Sequence, residues 1–149
     1  MKAVIQRVTY ASVEVDQKII SDIKNGLLIL LGIGIEDTIE DIKWLSNKIS
    51  NLRVFEDENE IMNHSIKDTN GDAIVVSQFT LMANTKKGNR PSYIKAAKPE
   101  VSIPLYEQFA QQLENDIGKK VGTGIFGADM KIDLRNDGPV TIIIDTKNK

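Results

Sequence analysis

Apolar residues recur along the chain with two different periods, and the periods alternate. Val4-Ile5-Gln6-Arg7-Val8-Thr9-Tyr10 is rich in β-branched and aromatic residues, and in Ala11 to Val15 valines alternate with polar neighbours. Both stretches predict strand. Ile19 and Ile20 lead to Lys24-Asn25-Gly26, where Asn-Gly predicts a tight hairpin. Leu27 to Ile33 is a short, nearly continuous apolar run, as expected of a strand buried on both faces. The period then becomes helical. Ile39, Ile42, Leu45 and Ile49 fall on one face, joined by Trp44, and predict an amphipathic helix over Thr38 to Ser50. Asp37 is the expected cap, with Glu40 three residues on.

Leu52 to Phe55 reads as a short strand, the acidic stretch Glu56 to Asp72 as mostly loop, and Ala73 to Leu81 as a strong strand. Ala83 to Pro99 reads as a long loop. Ser102 is the expected cap of a second helix, with Pro104 in its first turn, Tyr106, Phe109, Leu113 and Ile117 as its apolar stripe, and Gly118 as its end. Met130, Ile132 and Leu134 alternate with charged residues, a half-exposed strand. Asn136-Asp137-Gly138-Pro139 predicts a turn, and Val140 to Asp145 a last strand. The sum is one domain over residues 1–149. Its class is α+β, a mainly antiparallel or mixed sheet with two principal helices.

Composition narrows the chemistry. Cysteine is absent, which excludes disulfides, thiolate nucleophiles and Cys-ligated metal sites. Charge interrupts the N-terminal residues too early for a signal-peptide core, and no apolar run approaches the roughly 20 residues of a membrane helix. A cytoplasmic protein without a membrane partner is expected. The net charge of −2 argues against a globally basic nucleic-acid binder, but the charges are segregated. Residues 36–72 hold ten acids against four bases, whereas 73–99 hold no acid but Lys86, Lys87, Arg90, Lys95 and Lys98. Such a patch can meet phosphate even on an acidic protein, although solvated basic loops are common.

Standard catalytic kits are missing. The single histidine, His64, sits among acidic and polar residues and reads as a surface position. Gly122-Thr123-Gly124-Ile125-Phe126-Gly127 fits G-x-G-x-x-G, but it lies between a helix and a strand, where a dinucleotide fingerprint must follow a strand and open a helix. Two segments remain. Val76-Ser77-Gln78-Phe79-Thr80-Leu81, read as a strand, puts Ser77 and Phe79 on one face and Gln78 and Thr80 on the other. Asn136-Asp137-Gly138-Pro139-Val140-Thr141 reads by composition as a hairpin with proline opening the next strand. Period and composition alone leave both segments open to purely structural readings.

Taken together, in this order and separation, the two segments resemble the signature motifs of the D-aminoacyl-tRNA deacylases. The resemblance spans essentially the whole chain and includes Met1 to Val8, Gly26 to Gly34, Lys87 to Ser92 and Gly122 to Met130. It implies a homodimeric hydrolase that cleaves the ester of D-aminoacyl-tRNA, and glycyl-tRNA also. Its sites would lie at the subunit interface, with no cofactor, no metal and no DNA partner. Gly138-Pro139 matches a Gly-cisPro motif that enters the partner's pocket and excludes L-substrates with backbone carbonyls. Arg7 matches an arginine that holds that motif. Ser77, Gln78, Phe79 and Thr80 match the pocket wall that binds the aminoacyl end.

An aminoacyl ester is already reactive, so amides near Phe79 and Thr80 that stabilise the oxyanion would suffice with an ordered water, each donor contributing about 3–4 kcal/mol. That water is activated either by Thr80 or by the ribose hydroxyl of the substrate. No base beside Thr80 is evident to make it a covalent nucleophile. Lys86, Lys87 and Arg90 are the expected contacts to the acceptor stem. Two other readings stay open: a tRNA-binding module without catalysis, and a small-metabolite hydrolase that shares the fold.

Overall fold

The computed structural model describes all residues, 1–149. Strand β1 runs unbroken over Lys2–Val15, so the two strand-forming stretches at the N-terminus are one element. Asp16 and Gln17, both at positive φ, turn the chain into β2 (Lys18–Ile23), which pairs antiparallel with the second half of β1. This is the twist that a two-residue hairpin needs. The hairpin expected at Asn25-Gly26 does not exist. Strand β3 (Gly26–Gly32) continues along the same edge of β1, pairing Val8 with Gly26 and Lys2 with Gly32. Gly26 is required there because a Cβ would overlap the Asp72 carbonyl on the neighbouring strand. Its signal is one of close backbone approach rather than of a turn.

Helix α1 (Ile39–Ser50) follows. Its cap is Thr38, in a capping box with Asp41, and not Asp37. Asp37 instead accepts bonds from the Met1 ammonium and the Gly34 amide. The acidic segment is not all loop: β4 (Phe55–Glu56) and β5 (Met62–His64) form a small hairpin in it. Strand β6 (Asp72–Ser77) pairs parallel with β3. It ends at Ser77, earlier than its apolar pattern suggests, and Phe79–Met82 wind into a 3-10 turn. Helix α2 (Pro99–Ile117) begins three residues before Ser102, with Pro99 at its first position, so Pro104 lies inside it. Gly118 ends it at φ 74°, as a left-handed cap. Strand β7 (Gly122–Thr123) adds parallel to β6.

The last strand, β8 (Met130–Asp145), runs antiparallel along the whole of β1. Its register shifts around Val8, and the unpaired residues, Asp137 to Val140, lie between Asn136 opposite Val8 and Thr141 opposite Gln6. The predicted turn is therefore a bulge within one long strand. A bulge leaves residues unpaired and re-aims them without ending the ladder.

The sheet has a core on each face. Ala3, Ile5, Leu27, Ile29, Leu31, Ala73 and Val75 pack against Leu45, Ile49, Phe109 and Leu113 of the helices. Val8, Ala11, Val13, Leu28, Ile74 and Val76 form the second cluster, joined by Ile132 and Leu134. Ile5 and Val8, three residues apart, fall on opposite faces by simple alternation; Ala11 and Val13 join Val8's cluster because the register shift between Val8 and Tyr10 breaks that alternation. β3 is buried on both sides, as its apolar run predicts.

Candidate active site

β6 and β3 end side by side, and the site begins where they stop. The Gln78 amide donates to the Leu31 carbonyl (2.8 Å), which turns the chain off the sheet. The first bond of the 3-10 turn runs from the Leu81 amide to the Gln78 carbonyl (3.2 Å). The amides of Phe79 and Thr80 precede it and take no part in the turn's own bonding. Gln78 Nε2 donates to Thr80 Oγ1 at 2.6 Å and fixes both side chains. The shared-face relations expected of a strand over 77–81 therefore hold only to Ser77.

A cavity of about 340 Å³ opens beside this turn. Ser77, Gln78 and Phe79 form one wall, and Phe126, Ala128 and Met130 the other. Phe79 is 55 % exposed and meets Tyr93 edge to face at 5.0 Å. Behind the opposite wall, the buried Tyr106 hydroxyl donates to the Val75 carbonyl (2.7 Å) and accepts from the Gly124 amide (3.3 Å). One hydroxyl thus ties the glycine-rich segment to β6. Burial pushes the Tyr106 pKa up, so the group stays neutral at physiological pH. Gly122 to Gly127 supplies cavity wall, not a phosphate loop.

Arg7, Gly138 and Pro139 form a separate cluster. Arg7 is only 5 % exposed. Its Nε donates to the Asp137 carbonyl (3.1 Å) and lies 3.2 Å from the Asp137 carboxylate; one terminal nitrogen donates to the Val54 carbonyl (2.7 Å) and the other faces Glu56 at 3.4 Å. A Cβ on Gly138 would come within 3.1 Å of the guanidinium. The Gly138–Pro139 peptide is cis, Gly138 has φ 131°, and both residues are exposed. Asn136, unremarked in the sequence beyond its turn preference, closes the bulge. Its side-chain amide donates to the Arg7 and Val140 carbonyls (3.1 and 2.8 Å) and accepts from the Val140 amide (3.2 Å).

These two groups of residues do not meet within one chain. Arg7 pairs with Leu27 at the start of β3, whereas Gln78 bonds to Leu31 near its end. Four residues of strand, about 13 Å, separate them. Lys86, Lys87 and Arg90 are exposed on a third region, a loop closed at its base by reciprocal bonds between Asn84 and Ser92. His64 is half-buried on β5 and lines neither the cavity nor the Arg7 cluster. No three His, Asp or Glu side chains converge as a metal site. No helix is long and apolar enough to cross a membrane.

The family described as D-Tyr-tRNA(Tyr) deacylase matches residues 4–145. The chain is 70 % identical over 149 residues to the D-aminoacyl-tRNA deacylase of Flavobacterium psychrophilum and 65 % identical to that of Christiangramia forsetii, covering all of this chain and 99 % of each relative. Among solved structures, a c-Myc DNA unwinding element binding protein superposes with a TM-score of 0.92 at 42 % identity, covering 98 % of this chain and 99 % of that one. A probable eukaryotic D-amino acid tRNA deacylase superposes with a TM-score of 0.82 at 15 % identity, covering 96 % and 97 %, a likeness of fold. The chain belongs to the D-Tyr-tRNA(Tyr) deacylase family.

Proposed function

We propose that this deacylase is a chiral editor whose active site is shared between two copies of the chain. It hydrolyses the ester joining a D-amino acid, or glycine, to the terminal adenosine of tRNA in the cytoplasm. The aminoacyl end enters the cavity beside Gln78 and Phe79. The amides of Phe79 and Thr80 receive the developing oxyanion, and water attacks the ester carbon. The alkoxide leaves as the ribose hydroxyl, and the amino acid leaves as its carboxylate. Thr80 Oγ1, held by Gln78, orients the water or the ribose hydroxyl. Gly138 and Pro139 of the second copy close the cavity and reject an L side chain by clash.

The observation that carries this reading is the separation of the two motifs along β3. Gly138 and Pro139 are exposed, braced by Arg7 and Asn136, and distant from their own chain's cavity. A two-fold dimer resolves the mismatch, because each copy offers one half-site to the other. Lys86, Lys87 and Arg90 then meet phosphates of the acceptor arm, its single-stranded end included.

Mixing two inactive variants tests it. Ala128→Trp fills the cavity and Gly138→Ala distorts the bulge. If the site is shared, random reassociation restores about a quarter of wild-type activity on D-tyrosyl-tRNA, because half the dimers hold one intact site of two. Activity that stays at the level of the separate variants would refute the shared site. L-tyrosyl-tRNA should survive the wild-type protein.

A further inference from the structure

A second cavity, of about 490 Å³, lies on the far side of the same 3-10 turn. Gln78 and Phe79 face the aminoacyl cavity, and Met82 and Ala83 line the second one. It sits at the end of the sheet where β1 starts, β8 finishes and β3 runs out into Gly34 and Ile35. The geometry points to a binding track for the phosphodiester backbone of the single-stranded RNA end, the nucleotides just before the terminal adenosine. This rests on the function proposed above.

Charge supports the assignment. Positive groups outnumber carboxylates in the lining, with the Met1 ammonium, Lys2, Lys86, Lys95 and Lys147 against Glu36, Asp37 and Asp145. Asp37 is paired with the Met1 ammonium and Lys147, Asp145 lies 3.9 Å from Lys2, and only Glu36 has no cation within 4.0 Å. Asp37, with its side chain only 2 % exposed, is shielded from an incoming anion. Lys86 and Lys95 also line the cavity, and neither has a carboxylate within 4.0 Å, which leaves two uncommitted ammonium groups on one wall. Lys95 stands on a fixed backbone. Its carbonyl accepts from the Ile35 amide (3.1 Å), and Ala96 bridges to Gly34. Asn84 and Thr85 add neutral polar groups for ribose or phosphate oxygens. A strand whose terminal ester lies against Phe79 and Thr80 has only to cross one 3-10 turn to bring its preceding phosphates to these lysines.

The test uses full-length protein with Lys95→Ala, Lys86→Ala and the double variant, and Lys43→Ala on the exposed face of α1 as control. Two readouts are needed: hydrolysis of D-tyrosyl-tRNA against D-tyrosyl-adenosine, and equilibrium binding of the uncharged oligonucleotide C-C-A. For the tRNA ester, KM should rise about tenfold in the double variant with kcat retained. D-tyrosyl-adenosine, which has no preceding phosphate, should be cleaved unchanged. The slope of log affinity against log salt for the oligonucleotide should fall by about 0.7 for each lysine–phosphate pair removed. Lys95→Arg should retain binding.

Oligonucleotide binding equal in wild type and double variant, or absent from both, overturns the track. Cytidine monophosphate binding as tightly as the trinucleotide overturns it in favour of an isolated anion site. If the wild type cleaves neither ester, the deacylase reading fails, and the oligonucleotide titration still decides the cavity.

Discussion

Gly138 and Asn136 show how single residues set the geometry of the bulge. Gly138 needs its missing Cβ twice, for φ 131° and for the approach of Val140 and Arg7. Gly138→Ala should cost about 1–3 kcal/mol in denaturant unfolding, the usual range for forced backbone strain. Asn136→Ala removes three hydrogen bonds and leaves the Val140 amide and two carbonyls to find water. We expect a loss of about 1–3 kcal/mol and a rise in L-ester cleavage relative to D, measured on matched tyrosyl-tRNAs. A stability loss with unchanged chiral preference would separate bracing from selection. The chemistry of Arg7 is legible only through the resemblance, since an arginine in a strand pattern carries no sign of its partners. Asn136 is hidden for another reason: asparagine in a turn-like tetrapeptide explains itself locally, and its long-range bond to the Arg7 carbonyl depends on register.

At the scale of elements, the sequence indicates most strands and both helices because their periods are clear. Its errors have a common cause. Asn25-Gly26, Asn136–Pro139 and Val76–Leu81 each have a local preference, and in each the neighbouring strand decides otherwise. Gly26 yields to Asp72 across the sheet, the chain on either side of the 137–140 bulge is held in one ladder by β1, and Gln78 is turned off the sheet by its bond to Leu31. The cavity itself is not legible, because its walls come from β6 and from residues 126–130, joined through Tyr106. Tyr106→Phe should cost about 0.5–1.5 kcal/mol and raise KM for the D-ester as Gly124 loosens. Its pKa is raised in the fold, so its contribution is complete below the unfolded value near pH 10 and lost as pH climbs through the folded one. The phenylalanine variant should lack that alkaline part of the stability profile.

Across the whole molecule, the ends of the chain are tied to α1. Lys147 bonds to Asp41 at 2.8 Å and to the Glu36 carbonyl at 2.9 Å, while Thr146 accepts from the Met1 ammonium. Burial opposes ionisation of Asp41, but bonds from Lys147, the Thr38 amide and Thr146 outweigh it and hold the carboxyl well below the usual carboxylate range. A depressed pKa stabilises the fold above the unfolded value of about 4 and ceases to do so as pH falls through the folded one. Thermal unfolding of Asp41→Asn should therefore lie below wild type at pH 7 and converge on it in strong acid. A constant difference across that range would assign the effect to packing.

The bulge also bears on solubility. β8 is sixteen residues long and pairs with β1 on one side only, which leaves a second row of backbone groups open within the chain, beside the exposed Ile143. An uninterrupted edge of that length would template cross-β association between molecules. The proline and the displaced residues divide it into two short rows, neither long enough to recruit a stranger's strand with ease. Shortening the bulge to restore a regular ladder would then yield a chain that folds yet precipitates, a cost unrelated to the chirality of any substrate.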